Sequence, residues 1–85
     1  MEKSIYSAEY QQVCDLLRQL RREAGLTQVQ VAAALGVPQS FVSRYESGQR
    51  RLDIVELHHV ADVLGLSLAE FLRRLGPTWS NFPRS

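Results

Sequence analysis

Gln39, Ser40, Ser43 and Arg44 recur in the stretch LGVPQSFVSRYESG, residues 35 to 48, at offsets that put them on one side of a helix. At about 100° per residue, Val42 and Tyr45 define the opposite, apolar direction, with Phe41 and Glu46 on its margins. A guanidinium donates a fork of N–H groups, a carboxamide donates and accepts side by side, and a hydroxyl does either. These groups are suited to reading the edges of nucleic-acid bases: Arg to guanine O6 and N7, Gln to adenine N6 and N7, Ser to several partners. No carboxylate stands among the four to repel phosphate. A face that only met water would more often mix Glu with Lys in stabilising i, i+4 pairs.

Other chemistries find little support. His58 and His59 are adjacent, so on a helix they point about 100° apart and cannot grip one metal together, and no Cys or acidic cluster at ligand spacing accompanies them. No glycine-rich phosphate loop and no nucleophile-elbow serine is present, so neither an enzyme nor a cofactor or metal is expected. Cys14 lies in an apolar helical pattern and reads as a small packing residue. The 85 residues, 45% hydrophobic, make one small domain with one core. With no membrane-length apolar run and no export signal in MEKSIYSAEYQQ, a cytoplasmic protein without a membrane partner is expected.

Net charge is only +1, but it is unevenly placed. Residues 16 to 51 hold six arginines (18, 21, 22, 44, 50, 51) against Glu23 and Glu46, a net of +4. Residues 52 to 72 hold Asp53, Glu56, Asp62 and Glu70 with no Lys or Arg, a net of −4. Such a division is compatible with one face for phosphates and another for a protein, and equally with a solvated mixed surface.

Five helices must position these groups. Val13, Leu16, Leu17, Leu20 and Ala24 form the stripe of a first helix over 7–24, stopped by Gly25. Thr27 with Gln30 reads as a capping box opening a second, with Val31, Ala32 and Leu35 buried and Gly36 at its end. A third begins after Pro38 and closes at Gly48. Asp53 with Glu56 opens a fourth, with Ile54, Leu57, Val60, Ala61 and Leu64 inward and Gly65 its stop. Ser67 with Glu70 opens a fifth, with Leu68, Phe71, Leu72 and Leu75 inward, ended by Gly76 and Pro77. No useful length alternates with period two, so the fold class is all-α. The expected organisation is an extension over 1–6, a five-helix domain over 7–76 and an aromatic tail over 77–85. Trp79 and Phe82 in that tail either fold back on the core or pack at a dimer interface.

The second and third helices, joined by a tight Gly-containing turn, have the dimensions of a helix-turn-helix. The run from Gly25 to Leu72 resembles the lambda-type repressor and Cro (XRE) family. It carries LTQ opening the second helix, LGV at the turn, QS opening the third, SRYESG ending it, and LGLS between the last two. The resemblance implies a compact lambda-repressor-like domain in which Gln39, Ser40 and Arg44 face bases in the major groove of double-stranded DNA. It implies that Gln28 touches phosphate and braces Gln39, and that Arg21 and Glu46 form a structural ion pair. Free N–H groups beside Thr27 offer a further phosphate site. Ser47, Gln49, Arg50 and Arg51 are placed to clamp the backbone, Arg51 foremost. Two residues depart from the pattern: Pro38 stands where a Ser or Thr usually caps the third helix, and Phe41 replaces a commonly small polar residue. Phe41 either pads the core beside Tyr45 or touches a thymine methyl or the tail aromatics. Val29, Ala33 and Ala34 make the outer face of the second helix unusually apolar.

The resemblance leads to a sequence-specific transcriptional regulator, a repressor acting as a homodimer on a pseudo-palindromic operator. The fifth helix and tail, with Phe71, Arg74, Leu75, Trp79 and Phe82, are the expected dimer surface. An antitoxin with a toxin partner, a restriction-modification controller, and an interaction module that has lost DNA binding share the fold. No room remains for a separate ligand domain, which leaves a protein antagonist as the conceivable effector.

Overall fold

The computed structural model describes the backbone of residues 5–79 and the side chains of residues 8–76. Among the described residues there are five helices and no strand: α1 (Ile5–Glu23), α2 (Gln28–Leu35), α3 (Gln39–Ser47), α4 (Ile54–Val63) and α5 (Leu68–Trp79). α1 packs on α3 and α5, α2 on α3 and α4, and α4 on α5. One core lies between them, and its largest fully buried side chains are Tyr45, Phe71, Leu17 and Glu46. Among the described residues, no helix is long and apolar enough to cross a membrane.

Local sequence explains most boundaries. Both full capping boxes form: Thr27 Oγ1 accepts from Gln30 N–H at 3.1 Å while Gln30 Oε1 accepts from Thr27 N–H at 2.9 Å, and Asp53 with Glu56 repeats the exchange. At α5 only half of the device is made. Ser67 Oγ accepts from Glu70 N–H, but the Glu70 carboxylate turns to Arg73 instead.

The helix ends differ from expectation at three places. α1 begins at Ile5, inside the stretch expected as an extension, and stops at Glu23, leaving Ala24 exposed in the turn that Gly25 makes. α5 runs through Gly76 and Pro77 to Trp79. Pro77 fixes φ near a helical value and forgoes only one hydrogen bond near the helix end. Gly76 does not adopt the left-handed φ that stops a helix. The inward stripes are also narrower than expected, with Ile54 61% and Leu72 44% exposed. Each lies near one edge of its helix's apolar arc, and the core closes without it.

Candidate nucleic-acid interface

The turn between α2 and α3 is built from backbone. Gly36 adopts φ 74°, and Val37 N–H donates to the Ala32 carbonyl at 3.0 Å. Pro38 is the N-cap of α3, extended at φ −66° and ψ 154°, and offers no side-chain hydrogen bond. Its ring replaces a cap with stiffness, restricting Val37 to extended backbone. α3 then buries Val42 and Tyr45 and leaves Gln39, Ser40, Ser43 and Arg44 exposed on its outer side. Among the described residues, none of these four is in an ion pair.

Behind that face sits a buried charge. Glu46, 1% exposed, is the only charged residue buried among the described ones. Arg21 Nε donates to its Oε2 at 2.6 Å and Arg21 Nη2 to its Oε1 at 3.1 Å, a bidentate pair that also raises the Arg21 pKa. Gln28 Nε2 donates to the same Oε1 at 3.0 Å. Arg21 Nη1 also donates to the Leu26 carbonyl at 2.9 Å, so one guanidinium ties α1, the turn before α2, and α3 together. Arg18 adds Nη2 to the Glu46 carbonyl at 3.3 Å, a cation at the C-terminal end of α3. A carboxylate so held is well satisfied; a single missing partner would strand charge in the core.

The carboxylate also settles how two glutamines point. Glu46 only accepts, so Gln28 must turn its NH2 toward it and its Oε1 outward. Gln39 Nε2 donates to that Oε1 at 3.3 Å. The chain Arg21, Glu46, Gln28, Gln39 therefore runs from the core to the first residue of α3. It leaves Gln39 with its carbonyl oxygen and second N–H unclaimed, an acceptor and a donor side by side.

At the entrance to α2, the capping box occupies the N–H groups of Thr27 and Gln30. Those of Gln28 and Val29, in the first turn, have no intrahelical acceptor. They face the same end of the motif as Gln39. Val29 beside them is 57% exposed.

The loop after α3 is held by backbone and side chains together. Gly48 takes φ 86°, and the Arg44 carbonyl accepts from Gln49 N–H at 2.9 Å, Arg50 N–H at 3.2 Å and the Ser47 hydroxyl at 3.1 Å. Arg50 makes a forked pair with Glu56, Nη1 to Oε1 at 3.1 Å and Nη2 to Oε2 at 2.9 Å, and also donates to the Arg51 carbonyl. The Arg50 hydrogen bonds hold the Glu56 carboxyl below its usual pKa. The Arg50 guanidinium lies 4.5 Å from the centroid of Phe41. Arg50, expected at phosphate, has its donors engaged on Glu56 and the loop in this structure. Ser47, Gln49 and Arg51 remain exposed.

Phe41 is half-buried between two partners, edge-on to Tyr45 at 5.8 Å and beneath Arg50. Tyr45 is buried deeply enough that desolvation pushes its pKa up strongly, so its phenol stays neutral. The dimer surface needs correction. Phe71 and Leu75 are 0% and 3% exposed, inside the protein's own core, and Arg74 pairs with Glu23 of α1. Amphipathic packing claimed the two apolar residues first, while Arg74 stays exposed. Trp79 closes α5 in backbone only, and Phe82 lies outside the described residues. His58 and His59 are both exposed, and the described residues contain no cluster fit to hold a metal.

One residue at this loop escaped sequence reasoning. Tyr10 of α1 reaches over 40 positions to the Arg50 carbonyl and meets Arg51 and Leu52 as well. Its only signal was its spacing three residues before Val13, which puts it beside the buried stripe.

Comparison with known proteins agrees with this geometry. The helix-turn-helix family model HTH_3 matches residues 17–71. The uncharacterised HTH-type transcriptional regulator y4dJ of Sinorhizobium fredii (strain NBRC 101917 / NGR234) is 42% identical over 53 residues, 62% of this chain and 69% of its own length. An XRE-family like protein from Pseudomonas syringae pv. tomato str. DC3000 superposes with a TM-score of 0.81 at 42% identity, covering 87% of this chain and 90% of that one. The clp gene regulator ClgR from C. glutamicum gives 0.73 at 26% identity, over 81% and 88% of the two chains. A point mutant of the restriction-modification controller protein C.Esp1396I gives 0.79 at 24% identity, over 98% and 100%, a likeness of fold alone.

Proposed function

The chain belongs to the XRE-type helix-turn-helix family of DNA-binding transcriptional regulators, and on that premise we propose that it binds a specific operator as a homodimer and represses transcription there. The observation that carries the specificity is the outer side of α3. Four hydrogen-bonding side chains stand exposed without a carboxylate, and the first of them is oriented through Gln28 by a buried carboxylate.

In the major groove, the free acceptor and donor of Gln39 match N6 and N7 of adenine, and the Arg44 fork matches O6 and N7 of guanine. Ser40 and Ser43 flank them. The first-turn N–H groups of α2, with Thr27 and Gln28, take one phosphate; Ser47, Gln49 and Arg51 take the next along the same strand. Phosphate contacts fix register and base contacts supply discrimination.

A single module of this size covers little DNA, and a second copy raises affinity through effective concentration. Two-fold symmetry then requires inverted half-sites about one helical turn, roughly 34 Å, apart. The outward strip of α5 around the exposed Leu72 is the surface offered to the second copy, since α3 must stay free for DNA.

Selection of bound sequences from random duplex DNA at two salt concentrations tests this. An inverted repeat with that spacing is the expected outcome. A steep salt slope without a recovered motif would reduce the function to phosphate binding. Sedimentation at micromolar concentration with the recovered duplex should give a dimer; monomer with and without DNA discards the homodimer.

A further inference from the structure

Tyr10 lies outside both helices of the motif, yet it contacts three consecutive loop residues, with Arg51 at their centre. Its hydroxyl donates to the Arg50 carbonyl at 3.1 Å and accepts from Leu52 N–H at 3.0 Å. The residue between those two peptide groups is Arg51, and the Arg51 guanidinium lies 4.6 Å from the centroid of the same ring. The phenol closes a carbonyl to N–H span of two residues, the span that a γ-turn closes with its own backbone. Both the backbone and the side chain of Arg51 are therefore set by one side chain of α1.

We propose that Tyr10 is the positioning residue for phosphate contact by Arg51: its hydroxyl fixes the loop around Arg51 and its ring holds the guanidinium in place before DNA arrives. The inference rests on the functional reading above, in which this loop clamps the DNA backbone. Residues 49–53 belong to no helix, so the loop has no regular hydrogen-bond ladder to fix its shape. A long arginine side chain gives up much rotamer freedom when it is immobilised, and stacking on an aromatic face before binding removes part of that cost. Arg50 does not compete for the ring, because its guanidinium is held by Glu56 and Phe41. Among the described residues Arg51 is in no ion pair, so its charge remains available to phosphate. Burial raises the Tyr10 pKa, which keeps the hydroxyl a donor throughout the neutral range.

The test compares the full chain with Tyr10→Phe, Tyr10→Leu, Arg51→Ala and the Tyr10→Leu/Arg51→Ala double variant. Affinity for the selected inverted-repeat duplex is measured across a salt series, after circular dichroism has established that each variant is folded. Arg51→Ala should lower the salt slope by about 1.8, the share of two phosphate contacts on duplex DNA, one from each copy of the dimer. Tyr10→Leu should lower it by most of the same amount, and the double variant by no more than Arg51→Ala alone. Tyr10→Phe keeps the ring, so its slope should match the parent while binding to every sequence weakens by about threefold to tenfold, the scale of a lost hydrogen bond. Leu52 amide hydrogen exchange should accelerate in the same variant.

A Tyr10→Leu protein that keeps the parental slope while Arg51→Ala loses it overturns the role of Tyr10 and leaves the DNA-binding reading standing. If Arg51→Ala also keeps the slope, the phosphate contact itself is wrong and both fall. Should Tyr10→Leu not fold, Tyr10→Phe decides: parental affinity with unchanged Leu52 exchange contradicts the proposal.

Discussion

The two ends of α3 are held by different means. Its amino end rests on a backbone turn, Gly36 in the left-handed region followed by Pro38 with no side-chain cap, and on one exposed side-chain bond from Gln39 to Gln28. Its carboxyl end is fastened by side chains from two other helices: Arg21 and Arg18 on Glu46 and Tyr10 on the loop, all from α1, and Glu56 of α4 on Arg50. The difference suits what the proposed function asks of each end. The amino end would present Gln39 and Ser40 to the groove, and the stiff turn fixes where α3 starts. In the proposed complex the carboxyl end would meet a polyanion through a loop, and without cross-links that loop would have to be ordered at the moment of binding.

The largest test of this contrast is Glu46→Ala. It removes the carboxylate on which Arg21 and Gln28 converge and should cost about 3–5 kcal/mol in urea unfolding, the range for breaking a buried pair. A loss below about 1 kcal/mol would mean that water reaches the site and that the carboxyl end is not anchored there. Next come Gly36→Ala and Gly48→Ala, one at each end of α3. Both glycines have left-handed φ, and the nearest atom to an added Cβ is 3.5 Å away at Gly48 with none within 4 Å at Gly36. Each should therefore lose about 1–2 kcal/mol from φ strain alone, and nearly equally. A much larger loss at Gly48 would show that the loop tolerates no adjustment. The smallest effect belongs to Pro38→Ser. A new side-chain cap gains about 1 kcal/mol, while greater freedom of the unfolded chain removes about 0.4–1 kcal/mol, leaving the melting midpoint almost unchanged.

The helix pattern was legible where it depends on neighbours three or four residues apart. Thr27 with Gln30 and Asp53 with Glu56 announce α2 and α4, and both form as reciprocal boxes. The outward placement of Gln39, Ser40, Ser43 and Arg44 follows from helical spacing once Val42 and Tyr45 are assigned inward. What eluded the sequence depends on tertiary packing. Ile54 and Leu72 fit a helical stripe, but the width of the core decides which edge of a stripe is buried. The continuation of α5 past Pro77 depends on Gly76 declining a conformation open to it. The resemblance ranks Arg51 ahead of Arg50 for the backbone, but the partners that set the two apart, Glu56 and Phe41 for one and Tyr10 for the other, are brought to them only by the fold. No local pattern could pair a tyrosine with a loop 40 positions away.

In the proposed function the outer side of α3 reads bases while the flanking loop and α2 hold phosphates. Arg44→Ala, compared with the parent protein on the selected duplex and on its single-base variants, tests it most directly. The expected result is a loss of about 1–3 kcal/mol on the selected duplex together with relaxed preference at one base pair in each half-site. Unchanged affinity with the base preference intact at every position would contradict it.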